Sequence, residues 1–270
     1  MLKLYQAGNS ICTQKVQITL DEKGLPYDTQ NINLFTHEQY SPEYLKINPK
    51  GVVPSLDHDG NIVIESTLIC EYLDDVFPEP SLVPDAPHQR ARMRLWSKAI
   101  DEGIFEATRE LSFSAMFREK MKAMSEEQRQ ARFRNVGDPA RTARFKSTYA
   151  EGVESPYVFQ AIATFEKLFK NMEQDLSDGR TWMLGETYSL ADINLMPYVA
   201  RMEYLDLLDI WTADRPHVQA WWARAKERPS FKAAVSGKLT DEDVASMKTY
   251  GGAIRDRVRE RRDEYLAGLA

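Results

Sequence analysis

The segment NPKGVVPSL, Asn48 to Leu56, and the segment ESTLICEYL, Glu65 to Leu73, decide how this chain is read. Pro54 stands between two extended dipeptides, Val52-Val53 and Ser55-Leu56, a setting for a tight turn beside a strand and one in which a cis X-Pro bond is tolerated. Ile62 to Ile64 reads as a short strand. Beyond Glu65-Ser66 the apolar residues Leu68, Ile69, Tyr72, Leu73 and Val76 recur at helical spacing. Glu65, Ser66 and Thr67 then stand at a helix start, where N–H groups lacking intrahelical partners and a hydroxyl can hold a carboxylate. Together the two segments describe a backbone cradle for a peptide.

Upstream, Leu2 to Tyr5 reads as a strand, Ile11 to Glu22 as a helix and Tyr27 to Asn33 as a second strand, with Gly24-Leu25-Pro26 dividing the last two. Ser41-Pro42-Glu43 begins a short helix with proline at its first position. The sequence of elements is strand, helix, strand, then strand, strand, helix, which is the order of a small thioredoxin-like α/β domain.

Downstream, PEPSLVPDAPHQ, Pro78 to Gln89, holds four prolines in twelve residues and reads as a linker, dividing an α/β domain at residues 1–80 from an all-α domain at 88–270. From Arg90 the apolar spacing is helical and strands disappear. Met93, Trp96, Ile100, Ile104, Phe113 and Phe117 predict a long helix or a kinked pair. Ser125 to Pro156 is a polar insertion, interrupted at Gly137-Asp138-Pro139 and long enough to carry short helices of its own. A helix resumes near Tyr157. Ser189 and Asp192 form a capping box, with Tyr188 and Ile193 placed for its hydrophobic staple, so Asp192 reads as structural. Trp221-Trp222 reads as core packing, and Thr240 with Asp243 as a second capping box.

With 270 residues, 43% of them hydrophobic, the chain can bury cores for two domains of ordinary size. Its two cysteines, Cys12 and Cys70, lie in helical segments without metal-ligand spacing, so neither a disulfide framework nor a zinc site is expected and a reducing cytoplasm fits. The opening MLKLYQAG reads as a strand and turn rather than a signal peptide. No run approaches the ~18 apolar residues of a membrane span. The formal charge of -6, with both signs interleaved, gives no general attraction to nucleic acid. RDRVRERR, Arg255 to Arg262, is the basic exception and reads as a salt-bridged, solvated helix.

The turn before the first helix places Asn9 and Ser10 where side chains and N–H groups converge on an anion; taken alone, they are equally explained as helix caps. Cys12, in the first helical turn, reads as a small buried thiol. Phe105, Phe113, Met116 and Phe117 supply apolar material for a hydrophobic aromatic small molecule entering between the domains, although such spacing also describes core.

Three separated signatures, LYQAGNSICTQKVQITLDEKGL (Leu4 to Leu25), the NPKGVVPSL and ESTLICEYL pair, and YSLADINL (Tyr188 to Leu195), resemble those of the cytosolic glutathione transferases. The resemblance implies an N-terminal thioredoxin-like domain followed by a C-terminal helical domain, glutathione as co-substrate, no metal, and a homodimer. It implies Ser10, five residues before Lys15, as the residue that holds the glutathione sulfur as thiolate, with Asn9 as helper or rival. Val53 would pair through its backbone just before Pro54, Glu65 and Ser66 would clamp the γ-glutamyl end, and Gln39 and Lys50 would meet the glycyl end. Members that use a catalytic cysteine carry it where this chain has Ser10, so Cys12 does not match them.

The long insertion, VIESTLICEYLDDVFPE and WWARAKERPSF resemble the bacterial β-etherase branch. In that branch the glutathione sulfur displaces a phenol from the carbon beside a ketone. General conjugation of aromatic electrophiles, glutathione peroxidase activity and non-enzymatic binding of hydrophobic ligands are the competing readings.

Overall fold

A computed structural model describes residues 1–34, 36–134 and 139–269; Gly137 and Asp138 of the predicted insertion break lie outside the described residues. The chain forms two compact units, one of Met1–Ser97, Arg180–Pro197 and Trp221–Thr240, the other of Lys98–Gly179, Tyr198–Ala220 and Asp241–Ala270.

The first unit opens with β1 (Leu2–Gln6), α1 (Ile11–Glu22), β2 (Tyr27–Asn31) and, after a 3-10 turn at Glu38–Tyr40, α2 (Pro42–Ile47). β3 (Ser55–His58), β4 (Asn61–Ile64) and α3 (Ser66–Val76) complete the α/β part. The sheet order is β2-β1-β3-β4. β1 and β2 run parallel, with Leu2 opposite Tyr27, because α1 returns the chain to the same end; β3 pairs antiparallel with β1, Leu56 opposite Leu4, and with β4. Leu4 and Leu56 are buried at the centre of that register, and α1 is buried from Thr13 to Leu20, packed between α3 and a later helix of the same unit.

α4 (Pro87–Ala99) leads into π-helical turns at Ile100–Ile104, then α5 (Phe105–Ser112), a second π segment at Phe113–Phe117, and α6 (Arg118–Lys122). The predicted long helix is therefore continuous in helical conformation and twice widened, each π segment absorbing a residue that would break the 3.6-residue pattern. The insertion carries helices, as its length implies: α7 (Glu126–Arg134) and α8 (Pro139–Glu151) precede α9 (Pro156–Leu176). α10 (Leu190–Tyr204), α11 (Asp209–Thr212), α12 (Pro216–Glu227), α13 (Pro229–Ala234), α14 (Asp241–Gly252) and α15 (Arg255–Ala267) finish the chain.

In the first unit the capping box forms with a modification. Ser189 N–H donates to Asp192 Oδ2 at 3.1 Å, but Ser189 Oγ accepts from the Ala191 amide, one residue earlier than the usual N3 partner. Asp192 also receives Met183 N–H and the Trp221 indole N–H, both at 2.9 Å, which gives this buried carboxylate a bracing role. The helix that packs on α1 is α13. Arg228, just before it, forks onto Glu22 at the end of α1, and its guanidinium lies 3.8 Å from the centre of the Tyr188 ring.

In the second unit α5 packs on α9, and Phe165, Phe169 and Trp211 form an aromatic cluster. The arginine run is salt-bridged as expected, and Arg261 departs from the solvated part of that expectation. Arg261 is buried and donates to the Val153 carbonyl, Arg262 reaches Glu166 of α9 at 2.6 Å beside Arg215, and Arg257 pairs with Glu154 at 2.6 Å. α15 is thus tied to α9 and to the turn before it by charged side chains, beside the buried Val258 and the edge-on contact of Tyr265 with Phe159. No helix among the described residues is long and apolar enough to cross a membrane.

Candidate active site

At the start of α1, Ser10 N–H donates to the Ala7 carbonyl at 2.9 Å and closes the turn that carries Asn9, whose side chain is exposed. Ser10 is the N-cap, in extended conformation, and its Oγ accepts from Thr13 N–H at a long 3.3 Å. A hydroxyl offers two acceptor sites and one proton. The cap uses an acceptor site and leaves the proton, so capping and donation to a ligand atom are compatible.

The Val53-Pro54 peptide bond is cis. The backbone before it is held by side chains: the Tyr44 hydroxyl donates to the Val52 carbonyl at 2.7 Å, and Asn48 Nδ2 donates to the same carbonyl at 2.9 Å and to Ser55 Oγ at 3.1 Å. Gly51 has φ +60, and a Cβ there would stand 2.7 Å from the Tyr40 ring, so both the backbone conformation and the close approach require glycine. Val53 and Pro54 are buried at this edge.

Glu65 precedes α3 with φ 70, an uncommon conformation for a side chain of this kind, and does not cap the helix. Its carboxylate instead meets Lys50 Nζ at 2.6 Å in an exposed pair. Ser66, the first residue of α3, is buried, so its N–H stands at the positive end of the helix. Gln39 lies in the 3-10 turn and is buried, with Oε1 lacking a hydrogen-bond partner among the described residues. The first unit therefore holds Asn9, Ser10, Gln39, Lys50, Val53, Pro54, Glu65 and Ser66, with an acid, a base, an orphaned acceptor and two helix starts among them.

The four apolar candidates lie in the second unit. Phe113 and Met116 are buried in the second π segment, and Phe113 meets Phe145 of α8 edge-on at 4.8 Å. Phe105 and Phe117 are half-buried. The insertion helices thus supply packing partners for this segment, which spacing alone did not show. Among the described residues no group of three or more His, Cys, Asp or Glu is arranged to hold a metal ion.

Residues 4–81 match the family described as glutathione S-transferase, N-terminal domain, and residues 126–224 match its C-terminal domain. Protein LigF of Sphingobium sp. strain SYK-6 is 35% identical over 239 residues, spanning 86% of this chain and 91% of LigF. The chain belongs to the glutathione S-transferase family. The crystal structure of beta-etherase LigF from the same strain superposes on the transferase with TM-score 0.77 at 31% identity, covering 87% of this chain and 99% of that one. A glutathione transferase homologue from Sulfitobacter, solved with bound glutathione, gives TM-score 0.63 at 26% identity over 88% of this chain and 99% of that one.

Sequence reasoning about the transferase missed two kinds of residue. Tyr44 and Asn48 hold the loop before Pro54, and the asparagine of NPKG was the available signal. Lys15, used only to mark spacing from Ser10, is fully buried, with Nζ 3.0 Å from Thr67 Oγ1. The buried-thiol expectation for Cys12 is corrected: it is half-buried, since the first turn of α1 is covered incompletely, and only Cys70 is buried.

Proposed function

We propose that this transferase binds glutathione in its first unit and uses the sulfur to cleave a β-aryl ether, releasing a phenol from the carbon beside a ketone. The observation that carries the reading is Ser10, whose hydroxyl caps α1 as an acceptor and keeps its proton for a sulfur. Asn9, beside it, has an amide that can donate to the same atom. Val53 offers its backbone to the cysteinyl unit beside Pro54, while Glu65 and Ser66 receive the γ-glutamyl ammonium and carboxylate. Gln39 and Lys50 meet the glycyl end. The orphaned Gln39 Oε1 suits a ligand N–H, and Lys50, exchanged from Glu65 for the ligand ammonium, suits a carboxylate.

When bound, glutathione supplies a thiolate: a C–S bond forms at the carbon beside the ketone as the bond from that carbon to the ether oxygen breaks, and phenolate leaves with the bonding electrons to take a proton from water. The protein orients the reactants and stabilises the anionic sulfur. Stabilisation raises the thiolate fraction near neutral pH and makes each thiolate a weaker nucleophile, so a modest lowering of the thiol pKa serves best. The choice of an ether over other electrophiles is supported by the likeness to LigF.

Phe105, Phe113, Met116 and Phe117 are proposed as apolar contacts for the aromatic substrate, and residues 1–80 and 88–270 as the glutathione-binding and helical domains. A cytoplasmic homodimer completes the proposal. The homodimer is supported by two exposed leucines of the first unit, Leu68 at 58% and Leu95 at 65% exposure, on helices α3 and α4 that the Arg94–Glu71 pair joins. The deciding assay offers each enantiomer of a β-aryl ether ketone with glutathione, and runs 1-chloro-2,4-dinitrobenzene in parallel. Phenol release matched by one equivalent of glutathione thioether is the expected result. Conjugation without phenol release would leave a general transferase, and ligand binding with neither activity would leave a binding protein.

A further inference from the structure

Lys15 is 0% exposed, five residues beyond the cap of α1, and its Nζ donates to the hydroxyl of Thr67, the second residue of α3, at 3.0 Å. Helical side chains lean toward the N-terminus of their helix, so the ammonium is directed toward the Ser10 end of α1 while touching the first turn of α3. Its charge reaches the neighbouring interior. Burial pushes the Cys70 thiol up to about 11, with Lys15 and the Thr19 hydroxyl pulling it down and Glu71 and Cys12 adding to the rise. Lys15 and Cys70 thus act on each other across the interface of α1 and α3.

A buried ammonium is costly, and an aliphatic side chain of similar volume commonly packs in such a place at lower cost. What the lysine adds is a full positive charge beside two helix starts, each already equivalent to roughly half a charge. Resting on the glutathione reading above, we propose that Lys15 is a positioning residue for the anions of glutathione: its charge, acting with the first turns of α1 and α3, holds the sulfur at Ser10 as thiolate, while its bond to Thr67 fixes the turn that receives the γ-glutamyl carboxylate. The thiol proton leaves to solvent.

Ultraviolet titration of the thiolate band in the enzyme–glutathione complex, compared among wild type, K15M, K15Q and K15R, tests this, with thermal melts on the same samples. K15M and K15Q are expected to raise the pKa of the bound thiol by about one unit, the lower end of what a nearby opposite charge does. Below that pKa they should lose about threefold in kcat, a tenfold smaller thiolate fraction being partly offset by the greater nucleophilicity of the more basic sulfur, with recovery at higher pH, and K15R should restore the wild-type titration. K15Q keeps a donor for Thr67 and carries the test if K15M does not fold. A lower melting temperature with an unchanged thiol titration would make Lys15 purely structural and overturn the proposal. A wild-type enzyme that binds no glutathione, or binds it as an unperturbed thiol, would instead overturn the functional reading beneath it.

Discussion

At the scale of single residues, most of the proposed chemistry depends on where one hydroxyl proton goes. Ser10 serves the helix through an oxygen lone pair and keeps its proton, so S10A removes a weak cap bond and the proposed sulfur donor together. Loss of a donor aimed at a developing or stabilised anion typically costs about a hundredfold. S10A is accordingly predicted to lower kcat/KM by about that factor, with circular dichroism unchanged, as measured by steady-state kinetics at several pH values. Asp192 belongs to a different category. Burial raises its pKa above the ordinary carboxylate value, while bonds from Met183, Trp221 and Ser189 act against that rise. W221F deletes one of those bonds, so it should raise that pKa further and penalise the ionised form more than the protonated form. The predicted loss is about 1–3 kcal/mol, larger at pH 8 than at pH 5, measured by urea unfolding at both.

At the scale of elements, the C-terminal helix is held by ion pairs as well as by the buried Val258. Arg257 holds the Glu154 carboxyl below its ordinary value of 4.5. A depressed carboxylate stabilises the fold fully above its unfolded pKa, and the contribution is lost as pH falls through the lower folded value. Hydrogen-exchange protection factors across Arg255–Ala267 should therefore fall between pH 6 and pH 3.5 more than those in α9, and E154Q should show part of that fall at pH 6. Elements whose cause is local were legible in the sequence. The strands, the Ser10 cap and Pro42 at the first position of α2 follow from neighbouring residues, and Pro54 marked its turn for the same reason. The partners of long side chains were not legible. Lys15 finds Thr67, Lys50 finds Glu65 and Arg257 finds Glu154 across folded distance, where a lysine or arginine has many solvated alternatives and no periodicity records the choice. The two π segments were also hidden, because spacings of three and four residues accommodate a one-residue bulge without leaving the helical pattern.

At the scale of the whole molecule, the proposed dimer uses the exposed leucines of α3 and α4. Sedimentation equilibrium should give twice the 31.0 kDa chain mass, and L68E with L95E should shift it toward the monomer by placing charge in an apolar contact. If the starts of α1 and α3 and the Pro54 turn form one glutathione cradle, titrating the isotope-labelled protein with glutathione while following backbone amide shifts will show it. Saturable shifts are expected to concentrate at Ser10, Ile11, Val53, Ser66 and Thr67, largest at the helix starts. Saturable binding with those amides unmoved and the shifts gathered elsewhere would contradict it.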